Sequence, residues 1–210
     1  DKVNVRWRTA IAGRGWSSPV IEGDRIWMTT AIEIPLTDEE RAKLEANKGG
    51  EPTTMVGRLK LRAIGVDRSS GKMVLDRELL EVSKPDPVHA LNSFASPTPV
   101  IEGGKLFCHF GTNGTVCLDT KTQQIVWTNE ELRIRHENGP GSSPILWGDL
   151  LIVHCDGSDL APATGVHDAE TTSRQSRVHT HHAHPFTSRP LRTIVREHSG
   201  RGGASRYRHA

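Results

Sequence analysis

Cysteine thiols are the most reactive side chains in this 210-residue chain. Cys108 and Cys117 flank the turn at 111–114, and the register of that turn decides whether they face one another across a hairpin. The favoured turn is centred on Asn113 and Gly114, pairs Cys117 with Phe110 and leaves two buried thiols. With Cys155, the cysteines are too few for a disulfide framework, and their spacing matches no zinc signature. We therefore expect buried, unreactive thiols.

Two histidines and one acidic turn have side chains of the metal-ligating types. His109 and His154 occupy equivalent positions in successive repeats, but a pair of histidines is more often hydrogen-bonded within a fold than bound to a metal ion. The turn at 156–159 contains two aspartates, yet it lacks the length and the terminal glutamate of a helix–loop–helix calcium site. We expect hydrogen-bonded histidines and a structural turn, with no metal site.

A glycine-containing segment at 65–73 superficially resembles a phosphate-binding loop. The spacing between its glycines is one residue too long, and Met73 stands where such loops need a hydroxyl for the magnesium ion. A β-turn is the better interpretation.

The elements that carry these residues come from an internal repeat. Similar segments occur at 16–27, 97–107 and 142–152. In each, a proline opens a short apolar strand, a Gly-Asp or Gly-Gly pair forms a tight turn, and a second apolar strand follows. The first half of the unit is therefore a β-hairpin.

The second half of the unit also repeats, more loosely. A strand ends at Asp67 or Asp119, a turn follows, and another strand begins. Residues 3–9 resemble that last strand, with Trp7 matching Trp127, and would be the final strand of a preceding unit. The distance from Pro99 to Pro144 is 45 residues, the period of a four-stranded β-propeller blade.

The first unit is longer and requires insertions. A helix is predicted within residues 34–57, because Thr37 and Glu40 form a capping box and glycines 49 and 50 follow the helical segment. A second, shorter insertion precedes Asn92. Insertions of this kind are where a propeller scaffold carries specificity.

The Ser-Ser-Pro opening, the Gly-Asp turn and the Asp-x-x-Ser-Gly-Lys turn resemble the pyrroloquinoline-quinone-like (PQQ-like) β-propeller repeat across residues 1–159. Residues 119–124 depart from the pattern because Gln123 replaces its glycine. The resemblance implies that the repeated residues pack neighbouring blades. These structural repeat positions are Trp7, Ser18, Pro19, Gly23, Asp67, Gly71, Lys72, Pro99, Gly103, Asp119, Trp127, Ser143, Pro144 and Gly148.

Within the family, the chain is most similar to non-enzymatic bacterial propellers of the outer-membrane assembly lipoprotein type. That similarity implies a periplasmic or secreted scaffold that holds a protein or carbohydrate ligand on one propeller face, with no cofactor and no catalytic residue. The alternative is a fragment of a PQQ-dependent dehydrogenase, which would add a quinone, a calcium site and often adjacent cysteines. Adjacent cysteines do not occur in this sequence.

Residues 160–210 differ from the rest in composition. They contain eight Arg, three acidic residues, seven of the eleven His and no Lys, giving a net charge of +5 against −3 for residues 1–159. One interpretation is a disordered tail, since little apolar surface offsets the ordering entropy. Another is translation of a shifted reading frame. A third is metal binding by the histidines of 179–184 or nucleic-acid binding by the arginines, of which nucleic-acid binding is disfavoured.

The expected fold is all-β, a β-propeller fragment of about two and a half to three four-stranded blades with one inserted helix. Closed propellers have about four to eight blades, so further blades are needed to close the ring. Such a fragment would be marginally stable alone, because it exposes blade faces and strand edges. The sequence contains no apolar run long enough to span a membrane.

Overall fold

The structure is a computed structural model and describes residues 3–45, 53–131, 136, 138–147, 150–157, 175–182 and 194–196. Its helix and strands, in chain order, are β1 (Val20–Glu22), β2 (Arg25–Ile34), α1 (Asp38–Glu45), β3 (Thr53–Thr54), β4 (Arg58–Asp67), β5 (Met73–Ser83), β6 (Val88–His89), β7 (Val100–Glu102), β8 (Lys105–His109), β9 (Thr115–Asp119), β10 (Ile125–Asn129), β11 (Ile145–Trp147), β12 (Leu150–Gly157), β13 (Gln175–His182) and β14 (Ile194–Arg196). A short 3-10 helix, Gly111–Asn113, joins β8 to β9.

The strands form three antiparallel four-stranded sheets, each a β-propeller blade. Blade 1 has the order β1-β2-β4-β5, blade 2 has β7-β8-β9-β10 and blade 3 has β11-β12-β13-β14. Within each blade, consecutive strands of the sheet are neighbours, as in the up-and-down sheets of propellers. The predicted all-β propeller architecture is confirmed, and the described residues form an arc of three blades.

The blades pack face to face through two apolar cores. The larger core joins blade 1 residues such as Trp27 and Leu61 to blade 2 residues such as Leu106. The smaller core joins Phe107 of blade 2 to Leu151 of blade 3. Since alternate side chains of a strand point to opposite sheet faces, consecutive residues of β8 enter different cores. Both faces of blade 2 are therefore buried, because the apolar residues of β8 point alternately into the two cores.

The predicted helix forms with the capping box in place. The backbone N–H of Thr37 donates to Glu40 Oε2 at 2.9 Å, and the N–H of Glu40 donates to Thr37 Oγ1 at 3.2 Å. These hydrogen bonds lower the pKa of the Glu40 carboxyl below its ordinary value. The two insertions of blade 1 then meet in a small two-stranded sheet, β3 with β6. Both insertions belong to the same end of the blade.

Residues 3–9 differ from the strand predicted for them. The structure assigns no strand to this segment, and it lies instead against the turn between β4 and β5. Trp7 Nε1 donates to the carbonyl oxygen of Arg68 at 3.0 Å, and the Thr9 hydroxyl donates to the carbonyl oxygen of Gly71. Both contacts use side chains, so they hold the segment without a backbone ladder.

The tail also differs from expectation where the structure describes it. Disorder is one expectation for residues 160–210, whereas Gln175–His182 and Ile194–Arg196 form strands β13 and β14. The shifted reading frame stays a prediction throughout the tail. β13 pairs with β12, from Leu150 opposite His182 to Gly157 opposite Gln175. Valine, threonine and isoleucine in these segments favour strands. The rest of the tail lies outside the described residues.

No helix among the described residues is long and apolar enough to cross a membrane.

Candidate functional site

The connections between strands lie at two opposite ends of the blades. Because antiparallel neighbours alternate in direction, every second connection returns to the same end. One end, called the turn face, carries the turns 23–24, 67–72, 103–104 and 119–124. The other end, called the loop face, carries the connections 35–57, 84–99, 110–114 and 130–144. All insertions into the repeat therefore lie on the loop face.

The residues that precede the repeat prolines form a relay of hydrogen bonds between blades. The N–H of Ser18 in blade 1 donates to Thr98 Oγ1 at 3.0 Å, and the N–H of Thr98 in blade 2 donates to Ser143 Oγ at 2.9 Å. Each of these residues precedes the proline that opens its blade, namely Pro19, Pro99 and Pro144. The relay gives the predicted Ser18 and Ser143 an inter-blade role that the spacing alone did not show, and it adds Thr98, which was not among the predicted positions.

The glycine positions of the tight turns have the backbone that only glycine adopts readily. Gly23 and Gly103 both have φ of +57°, and a Cβ at either position would meet nothing within 4 Å. They are needed for conformation and not for space. Gly148, the third predicted position, lies outside the described residues.

Asp67 and Asp119 organise the two longer turns of the turn face. Asp67 Oδ1 accepts from the hydroxyls of Ser69 and Ser70, both at 2.7 Å, and from their backbone N–H groups. Asp119 accepts from the ammonium group of Lys105 and from two backbone N–H groups of its own turn. These hydrogen bonds hold the pKa values of both carboxyl groups well below the ordinary range. The largest contribution comes from the Ser69 hydroxyl at Asp67 and from the Lys105 ammonium group at Asp119. Both carboxylates stabilise turns.

Gly71 lets an indole ring pack directly on a turn. Its φ is +73°, and a Cβ there would lie 2.5 Å from Cδ2 of Trp7. Lys72, the next predicted position, is exposed, while its carbonyl oxygen accepts from the N–H of Asp67 at 2.8 Å. The indole of Trp7 in the N-terminal segment thus packs into the turn between β4 and β5.

The corresponding positions between blades 1 and 2 have different residues. Leu75 follows Gly71 by four residues, as Trp127 follows Gln123. Gln123 keeps the positive φ of the glycine that it replaces, at +61°. Trp127 itself packs against Phe107, with ring centroids 6.1 Å apart. Leu75 and Gln123 therefore stand where a tryptophan and a glycine stand at the other contact.

The cysteine prediction is correct in outcome, although its register is wrong. Cys108 and Cys117 are free and buried. Cys117 pairs with Phe107, not with Phe110, because the connection contains a 3-10 helix in place of a two-residue turn. Cys108 packs in the core toward blade 1 and Cys117 in the core toward blade 3. Burial raises the pKa of both thiols, that of Cys117 to about 12.

His109 is buried and its Nδ1 lies 2.8 Å from the hydroxyl oxygen of Thr115 on the neighbouring strand. The structural interpretation of this histidine agrees with that contact. The side chain of His154 lies outside the description. No group of three or more metal-ligating side chains occurs among the described residues.

The loop face is a hydrogen-bonded layer built from two blades. The Asn92 side chain, just after the second insertion of blade 1, donates to the carbonyl oxygens of Asn138 at 2.8 Å and Pro140 at 3.2 Å in the connection that leaves blade 2. Gly139 packs so closely that a Cβ there would lie 2.5 Å from Val88 Cγ1. Sequence reasoning missed Asn92, because only the fold brings it to residues 46 positions away.

A half-buried ion pair fixes the N-terminal segment to blade 1. Arg14 Nε lies 3.1 Å from Glu33 Oε1, and Arg14 Nη2 donates to the carbonyl oxygen of Asn92 at 2.7 Å. Arg14 also forms a backbone bridge with Ala31 of β2. One arginine thus joins the N-terminal segment, the first blade and the loop at Asn92.

Among the described residues of the loop face, Leu91 is the most exposed large apolar side chain, with 83% of its surface accessible. Its backbone N–H donates to Nδ1 of His89 at 3.2 Å, which holds the turn at its base. Asn92, the next residue, anchors the same turn to blade 2. The loop is therefore held in place while the Leu91 side chain is exposed to solvent.

Comparisons with known proteins agree with this architecture. A family model described as outer membrane protein assembly factor BamB matches residues 41–167, which is more than half of the chain. The crystal structure of BamB from Moraxella catarrhalis is similar at 12% sequence identity and a TM-score of 0.36, over 98% of this chain and 67% of that one. None of the curated proteins matches the chain. The family match shows that the chain belongs to the BamB family of PQQ-like β-propeller repeat proteins.

Proposed function

We propose that this chain is a non-enzymatic scaffold of an extracytoplasmic compartment that holds a protein partner on its loop face. The name of the family supports a place in outer-membrane protein assembly. Leu91 is the observation that carries the choice of face. An exposed leucine held by two anchored neighbours favours an apolar contact, and therefore a protein over a carbohydrate.

The anchoring of the loop supports binding with little ordering cost. Asn92 is fixed by its hydrogen bonds to blade 2, and Arg14 binds the carbonyl oxygen of the same residue. A binding loop that is already ordered loses less conformational entropy when a partner docks. The role needs no quinone and no metal. A quinone absorbance band in protein purified from its native source would contradict it.

The test is site-specific photo-crosslinking of the full chain in its native cell envelope. A photoreactive residue at position 91 should give a defined crosslink to a protein of the outer-membrane assembly apparatus. Leu91→Asp should weaken capture of that protein about tenfold, because it places a charge in an apolar contact.

The control is Val126 on β10, an exposed apolar residue outside the loop face with 43% of its surface accessible. A photoreactive residue there should give no crosslink to the same protein. Equal crosslinks at 91 and 126, or a Leu91→Asp variant that binds as tightly as the parent, would reject the proposed face.

A further inference from the structure

We propose that the cleft between blades 1 and 2 on the turn face binds a small planar aromatic carboxylate of about the size of an indole acid. The cleft has a volume of about 310 Å³, at the lower end of the range for small-molecule sites. The apolar residues of its lining are Trp27, Val74 and Leu75. It lies at the opposite end of the blades from the proposed partner site and does not depend on that proposal.

The shape of the cleft follows from two replacements in the repeat. At the other turn, the ring of Trp7 lies on Gly71. Here Leu75 takes the tryptophan position and Gln123 the glycine position, and both line the cleft. Leucine has fewer side-chain atoms than tryptophan, so the space that an indole ring fills at one contact is left open at the next.

The turn of blade 2 also has the backbone arrangement that binds the indole N–H of Trp7 in blade 1. The N–H of Arg68 donates to the carbonyl oxygen of Asp24, and the N–H of Thr120 donates to the carbonyl oxygen of Gly104 in the same way. Since Trp7 Nε1 donates to the carbonyl oxygen of Arg68, the Thr120 carbonyl is the matching acceptor for a bound indole N–H. Thr120 lines the cleft.

The charges of the lining favour an anionic substituent. Arg25 and Lys121 contribute two cations, against the single carboxylate of Glu22. Glu22 Oε1 already accepts from the N–H of Gly104 at 3.0 Å, which draws that carboxylate into the blade contact. Trp27, one of the lining residues, has its Nε1 buried with no acceptor among the described residues. A carboxylate brings acceptor oxygens to a site rich in donors.

Calorimetric titration of the full chain with indole-3-propionate tests the proposal. The ordinary efficiency of small ligands gives an expected Kd of about 1 mM or tighter. The neutral amide of the same acid should bind at least about fivefold more weakly, since it cannot pair with the cations. Cyclohexanepropionate should also bind more weakly, because its ring is not planar.

Two variants locate the site. Lys121→Glu should weaken binding about fivefold or more, whereas Lys72→Glu, which changes an exposed lysine in the corresponding turn of blade 1, should leave the Kd unchanged. The double variant Leu75→Trp with Gln123→Gly restores the tryptophan–glycine pair and should abolish binding by filling the cleft. Thermal unfolding confirms that each variant is folded.

Several results would overturn the proposal. These are the lack of saturable binding to the parent chain, equal affinity for the acid and its amide, and equal losses in Lys121→Glu and Lys72→Glu. Unchanged affinity in a folded Leu75→Trp, Gln123→Gly variant would place the ligand elsewhere and reject this cleft.

Discussion

Replacing Gly71 with alanine tests whether the Trp7 contact stabilises the first blade. Gly71 has φ of +73°, and an added Cβ would lie 2.5 to 2.6 Å from three ring atoms of Trp7. No side chain fits at that distance, so the indole must move. Movement would break the hydrogen bond from Trp7 Nε1 to the Arg68 carbonyl oxygen, which is 3.0 Å long.

Two costs contribute to the expected loss of stability. A left-handed backbone costs an alanine about 1–2 kcal/mol relative to glycine. Displacing Trp7 removes a hydrogen bond of about 1 kcal/mol and part of the contact between the ring and the turn. We therefore expect Gly71→Ala to lower the free energy of unfolding by about 2–4 kcal/mol.

Gly103→Ala is the matched control. Gly103 has φ of +57° with nothing within 4 Å of an added Cβ, so this variant has only the backbone cost, about 1–2 kcal/mol. Any stabilisation from the reduced entropy of the unfolded chain is common to both variants and cancels in their difference. Urea unfolding followed by circular dichroism gives both values. If Gly71→Ala costs no more than Gly103→Ala, the packing argument is refuted.

Three further predictions follow from the turn face and the core. Gln123→Gly should raise the free energy of unfolding by about 0.5–1 kcal/mol, because glycine tolerates the φ of +61°; no gain in the urea midpoint would contradict this. The folded-state pKa of Asp119 is lowered, so its contribution to stability is present above about pH 4 and is lost as the pH falls through the folded value. The stability difference between the parent and Asp119→Asn should thus shrink in acid, and a pH-independent difference would count against the ion-paired turn. In a Cys155→Ser background, burial should keep Cys108 and Cys117 unreactive toward a thiol reagent at pH 8 until urea unfolds the chain, and rapid labelling of the folded protein would show that these thiols are accessible.

The parts of the fold that the sequence predicts are those encoded over a few residues. The helix at Asp38–Glu45 follows from a capping box within four positions. The hairpin turns at Gly23 and Gly103 follow from glycines where φ must be positive. The repeat period then gives the blade, since the same local signals recur at the spacing of four strands.

The parts that it misses depend on contacts between distant residues. The 3-10 helix at Gly111–Asn113 shifts the register of Cys117, and no turn signal at that point distinguishes the two registers. Asn92 finds its carbonyl partners 46 and 48 residues away, in a different blade. The cleft is equally non-local, because it needs both Leu75 of blade 1 and Gln123 of blade 2 in its lining. Neither residue alone is unusual in its own strand or turn.

The relay of Ser18, Thr98 and Ser143 bears on how blade number can change during evolution. Thr98 supplies both a backbone donor and a hydroxyl acceptor, so one residue serves the neighbouring blades on both sides. A blade that keeps this residue before its proline can therefore be duplicated or deleted with the hydrogen bonds of the relay intact, whereas a break inside a blade would leave a donor or an acceptor unmatched. Gene segments that encode complete units can be added to such a protein without loss of these hydrogen bonds.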